Sequence, residues 1–128
     1  MVANILTEEL INGGKNLLQE LDASGIKVNA ALWFYFPEEG FWKLMLSFPN
    51  VEKEGPKAAY VRVQKALFKL KGTQAPALDD ITIARPNAPL VQLLKIAIRT
   101  GPGISGIRFS NNVINGQLIP DAYIYRLT

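Results

Sequence analysis

The sequence predicts an α+β fold: a mixed five-stranded sheet in the element order α-β-β-α-β-α-β-β, with helices mainly on one face. Three observations carry this expectation. Apolar residues recur at three- and four-residue steps around residues 7–22 and 56–70, the spacing of a helix with one buried stripe. Two stretches, residues 26–48 and 107–127, are rich in aromatic and β-branched side chains arranged about short turn sequences, the mark of hairpins. No stretch repeats another and nothing resembles a linker, so the 128 residues read as a single domain spanning 1–128.

The first helix is expected from Thr7 to Asp22. Thr7 can cap it, and Glu8 and Glu9 suit the positive end of the helix dipole. Leu10, Ile11, Gly14, Leu17, Leu18 and Leu21 form its stripe, and a glycine within a stripe lets another element approach the backbone. Ser24-Gly25 ends it.

The first hairpin is IKVNAALWFYF-PEEG-FWKLMLSF, with Gly40 available for positive φ. Alternation puts Ile26, Val28, Ala30, Leu32, Phe34 and Phe36 on one face, which we match to Trp42, Leu44, Leu46 and Phe48 as core. The other face then holds Lys27, Asn29, Ala31, Trp33 and Tyr35 with Phe41, Lys43, Met45 and Ser47. That second face is half apolar, unlike the polar outer face of an open sheet.

A second helix should start at Pro56 and run to Leu70, burying Ala59, Val63, Ala66, Leu67 and Leu70. ITIAR, residues 81–85, reads as a short strand. A third helix, capped by Asn87, should reach Thr100 and be the most buried of the three, because it is apolar on most sides. Asn115-Gly116 is the strongest short hairpin signal in the chain. It pairs Val113 with Leu118, and Ile107, Phe109, Ala122 and Ile124 join their face. Pro120 cannot donate to a ladder and marks an edge or a bulge. The ITIAR strand, the third helix and IRFS are expected to form a crossover of parallel strands.

GPGISG, residues 101–106, matches the letters of a dinucleotide-binding loop. That loop works between a strand and a following helix, whose N-terminus holds the phosphates. Here a helix precedes and a strand follows, so the negative end of the dipole would face the ligand. Gly101 reads better as a helix cap, with Gly103 and Gly106 as turn residues.

The chain has no histidine and no cysteine. This removes triads, thiol nucleophiles, thiolate or imidazole metal sites, and disulfides. Glu38-Glu39 and Asp79-Asp80 remain as carboxylate pairs, and turn chemistry explains both better than catalysis. No cofactor and no metal site is expected. The N-terminal residues show no signal peptide and no apolar run is long enough to span a bilayer, so the expected location is cytoplasmic, without membrane association.

Charge is uneven. Residues 1–54 carry eight acids and four bases, whereas residues 55–128 carry ten bases and three acids. The fold can either concentrate that basic charge or interleave the halves. Arg62, Lys65 and Lys69 share one helix face and form a candidate phosphate row. The expected function is non-catalytic: an interaction domain whose aromatic sheet face docks a protein partner or a second copy in a dimer. Its residues would be Trp33, Tyr35, Phe41, Met45, Tyr123 and Tyr125, with Lys43 and Arg108 at the rim. A second reading of the face is internal cover by a helix or the chain's own tail, which makes it core; the alternative function, third in order, is nucleic-acid binding through the basic helix and the same face, since stacked bases and tracked phosphates need interleaved rings and cations.

Overall fold

The computed structural model describes residues 5–128. Helix α1 (Glu8–Ala23) is followed by β1 (Ala30–Phe36), β2 (Phe41–Ser47), a single turn α2 (Val51–Glu54), α3 (Pro56–Lys69), β3 (Ile81–Ala84), α4 (Pro89–Ala97), β4 (Ile107–Ile114) and β5 (Gln117–Leu127). The sheet order is β3-β2-β1-β5-β4, with β2 and β3 parallel and every other pair antiparallel. This is the mixed five-stranded α+β architecture the sequence predicts, with the one turn of α2 added.

Local chemistry sets the ends of the elements. The Thr7 hydroxyl accepts from the Leu10 N–H at 3.2 Å, satisfying a helix donor that would otherwise lack a partner. Asn115 and Gly116 both take positive φ, +50° and +79°, as a two-residue turn with the twist of its strands requires.

Helices cover both sides of the sheet. On one side Leu17, Leu18 and Leu21 of α1, with Ala59, Val63 and Ala66 of α3, pack on Ala31, Trp33, Trp42, Leu44, Leu46 and Tyr125. On the other, Val91 and Leu94 of α4 pack on Ala30, Leu32, Phe34, Met45, Ala122 and Ile124. Helices therefore lie mainly, though not wholly, on one side.

The first hairpin differs from the expectation by one residue. A four-residue loop makes Phe36 the partner of Phe41, Tyr35 of Trp42 and Trp33 of Leu44. Paired residues share a face, so Trp42, Leu44 and Leu46 lie with Trp33 and Tyr35, and Phe41, Lys43 and Met45 lie with Leu32, Phe34 and Phe36. A slip of one residue exchanges the two faces.

The crossover also differs. β3 and β4 occupy opposite edges of the sheet and run in opposite directions; the parallel neighbours are β2 and β3, joined through α2 and α3. α4 ends at Ala97, not Thr100, and its cap position is Ala88 without a side-chain bond. It is not the most buried helix. Only Val91 and Leu94 are fully covered, and Ile96 is exposed, because a helix on an outer layer meets the sheet along one stripe whatever its other sides contain.

The closing hairpin carries a break in alternation. Asn111 has φ +50°, and it faces Pro120 at the one position where the β4–β5 register has no pair. Pro120 lacks a donor and Asn111 tolerates the left-handed region, so the ladder kinks there. Beyond the kink the faces exchange. Ile114 and Ile119 enter the core on the α4 side, while Val113 and Leu118 remain paired and turn outward.

β5 contains a second irregularity, opposite Ala31/Leu32. It places both Tyr125 and Arg126 toward α1, where strict alternation would separate them. The Tyr125 hydroxyl accepts from Trp33 Nε1 at 3.0 Å and donates to the Ile11 carbonyl at 2.5 Å. Burial pushes the Tyr125 phenol well above the ordinary tyrosine range. The folded protein therefore keeps this proton where the unfolded chain, titrating near pH ~10, gives it up. The resulting stability is complete below that pH and is lost as pH rises beyond it. Urea midpoints of the wild type and Tyr125→Phe, measured from pH 9 to 11, should converge as pH rises; a constant gap would contradict the assignment.

Candidate functional site

The expected aromatic face does not exist as one surface. Trp33 and Tyr125 are wholly buried under α1, and Met45 is 8% exposed beneath the α4 layer. These three are core, and replacing them would test folding, not docking. Phe41 and Lys43 lie on the opposite side from Trp33. The Lys43 ammonium sits 5.5 Å above the Phe41 ring and donates to the Asp79 carbonyl. Tyr123 is half-buried, its ring edge-on to Tyr125 at 5.4 Å.

A shallow opening lies toward the outer end of the α1 side. There Tyr35 packs on Trp42 with ring centroids 5.4 Å apart, and the Arg108 guanidinium lies 5.5 Å from the Trp42 ring. Arg108 donates twice to Asp121, at 2.7 and 2.6 Å, and the Ser110 hydroxyl bonds the same carboxylate. The Arg108 bond, helped by Ser110, holds the Asp121 carboxyl below the usual range. With Ile5 and Leu6 these groups line a shallow cleft of about 280 Å³. Its cation and anion are already matched, so it offers no free charge to a ligand.

Electrostatics also changes the reading of the basic row. Arg62 pairs with Glu54 at 2.5 Å, and Lys69 stands 3.8 Å from Glu20, leaving only Lys65 of the three unpaired among the described residues. A third pair, Arg126 with Asp22 at 2.8 Å, follows the same rule. In each, the acid comes from residues 1–54 and the base from residues 55–128. Folding thus interleaves part of the charge asymmetry, while the remaining pair among the described residues, Arg108 with Asp121, lies within 55–128. A phosphate row with two of its cations committed is a weak competitor for a polyanion.

The glycine-rich segment is not a helix cap, and a strand, not a helix, follows it. Gly101, Gly103 and Gly106 are not among the positive-φ residues, and α4 ends before them. The segment runs beside the end of β5. Thr100 exchanges bonds with Leu127, the Ser105 N–H reaches the Tyr125 carbonyl, and the Gly103 carbonyl accepts from Arg126 Nε at 3.1 Å. A side chain at Gly106 would collide with the Tyr123 hydroxyl. Close packing explains that glycine.

Of the carboxylate pairs, Asp80 is buried and Asp79 exposed. Burial raises the Asp80 carboxyl, opposed by Lys43 and reinforced by Asp79. Among the described residues no three acidic side chains gather as a cation site would need. Among the described residues no helix is long and apolar enough to cross a membrane.

Two apolar surfaces were missed by sequence reasoning. Val113 and Leu118, a directly paired couple on the closing hairpin, are 65% and 62% exposed. Val61 and Phe68 project from the outer side of α3, and Phe68 is 75% exposed. The second pair was detectable, since both residues fall off the buried stripe at 59, 63 and 66. The first was hidden by the kink at Asn111. The chain matches no protein-family model and shows no significant similarity to a curated protein or a solved structure.

Proposed function

We propose that this chain is a non-catalytic interaction domain that associates with a second copy of itself through the β4–β5 hairpin. The observation that carries this reading is the outward-facing Val113–Leu118 pair. β1 pairs with β5 only from Ala122 onward, so residues 112–121 form a two-stranded arm beyond the central strands. Ile114 and Ile119 anchor one side of the arm in the core. Its other side presents two large aliphatic chains to water, directly opposite each other across the ribbon.

β4 supports the same reading as an edge strand. Its outer backbone groups have no neighbouring strand among the described residues, and identical edges can pair about a twofold axis. Asn111 interrupts that edge, which limits pairing to a short register and opposes open-ended stacking. Aliphatic contact at the tip would then supply the grip, and the edge its direction.

The test is solution mass across a concentration series for the wild type and for a Val113→Lys, Leu118→Lys double variant. Both side chains are exposed, so the variant should keep its stability to within about 1 kcal/mol. The wild type should dimerise and the variant should be monomeric. A wild type that is monomeric throughout, or a variant that still dimerises, overturns the reading.

A further inference from the structure

The outer face of α3 has its own chemistry, separate from the hairpin. Residues 55–78 contain five bases and no acid. Arg62 and Lys69 lie on the flank of α3 that turns toward its neighbours, paired with Glu54 of α2 and Glu20 of α1. Lys57 and Lys65 form no ion pair among the described residues, and neither does Lys71 just past the helix end. At about 100° per residue, positions 57, 61, 65 and 68 fall within one quadrant, opposite the buried Ala59, Val63 and Ala66. The exposed ridge therefore reads Lys57, Val61, Lys65, Phe68, alternating cation and apolar chain over three turns.

We propose that this ridge docks an acidic amphipathic helix of a partner protein. Charge complementarity selects acidity: three unpaired ammonium groups surround the ridge with no carboxylate on it. The apolar positions select a helix. Val61 and Phe68 are seven residues apart, the repeat at which one helix lies along another. Phe68, 75% exposed at the C-terminal end of the ridge, is its aromatic anchor, and truncating such an anchor is the change most apt to weaken binding. The shape argues against nucleic acid, because unpaired bases are bound in grooves or on sheet platforms, and a convex helix with one ring encloses no base. This surface is independent of the self-association reading; a dimer would present two such ridges.

A fluorescent synthetic helix with leucines at seven-residue spacing and glutamates on both flanks is the probe, with anisotropy as the readout. Binding to the wild type is expected. Phe68→Ser and Lys65→Glu, both at exposed positions, should each weaken it about tenfold without lowering the thermal midpoint. The Val113→Lys, Leu118→Lys variant should bind the probe as the wild type does, which separates this surface from the hairpin. Four results would overturn the proposal. They are no binding of the peptide, polyglutamate binding as tightly with Phe68→Ser harmless, oligo(dT) binding more tightly than the peptide, or binding only to phosphatidylserine vesicles.

Discussion

Gly14→Ala is expected to destabilise the protein by about 3 kcal/mol, although alanine is the better helix former. Gly14 lies inside α1, where intrinsic propensity alone would favour the substitution by about 1 kcal/mol. The added methyl would meet the Tyr125 hydroxyl, and it would sit 2.9 Å from Trp33 Nε1. Neither group can withdraw. Both rings are fully buried, and the hydroxyl is held between Trp33 and the Ile11 carbonyl. Either α1 lifts from the sheet or the hydrogen bonds break. The thermal midpoint should fall by about 10 °C, while Asn12→Ala, at an exposed site on the same helix, should not lower it. The cost of Gly14→Ala should shrink in a Tyr125→Phe background, since removing the hydroxyl removes the nearest obstacle. Equal costs in both backgrounds would mean that the close approach is not the cause.

A second large effect should follow from Asp22→Ala. Local helix physics predicts a gain, because Asp22 is an acid in the last turn of α1, where the dipole is negative and no basic residue compensates. The tertiary structure predicts the reverse. Asp22 takes two bonds from Arg126, at 3.0 and 2.8 Å, and the Arg126 side chain is only 5% exposed. Removing the acid leaves a guanidinium without its counter-ion in the interior. A buried charge stranded in this way costs about 3–5 kcal/mol; Asp22 is 37% exposed, so partial hydration should reduce the loss to about 2–3 kcal/mol. Arg126 would keep its bonds to the Val28 and Gly103 carbonyls, so the fold should survive with a lower urea midpoint. A variant at least as stable as the wild type would show that the helix end outweighs the ion pair.

Legibility in the sequence followed the range of the interaction. Thr7, Gly25, Gly40 and Asn115-Gly116 act on their immediate neighbours, and each sits where its chemistry requires. Gly14 was recognisable as a point of close approach because it interrupts a row of leucines. The faces of β1 were not recognisable by hydropathy. Both are apolar, since α1 and α3 cover one and α4 the other, and alternation carries no information when neither side meets water. The loop length alone held the answer, as four residues between Phe36 and Phe41 make them partners. Long-range pairing left no local trace. Nothing in ITIAR announces a parallel partner in β2, and nothing in β5 announces β1. The candidate surface depended on these hidden choices. The kink at Asn111 decides whether Val113 or Ile114 faces outward, and only its partner Pro120 hinted at a break.

The position of β5 between β1 and β4 has a consequence for synthesis. The ribosome releases β1 and β2 early, yet β1 gains its second neighbour only from residues 122–127. Until those residues emerge, a nascent chain must carry Leu32, Trp33 and Phe34 on an unpaired inner edge. Such an edge is the kind of surface that chaperones cover and that aggregates recruit. Assembly of the molecule thus waits on β5, and truncation within it would leave β4 with no strand joining it to β1.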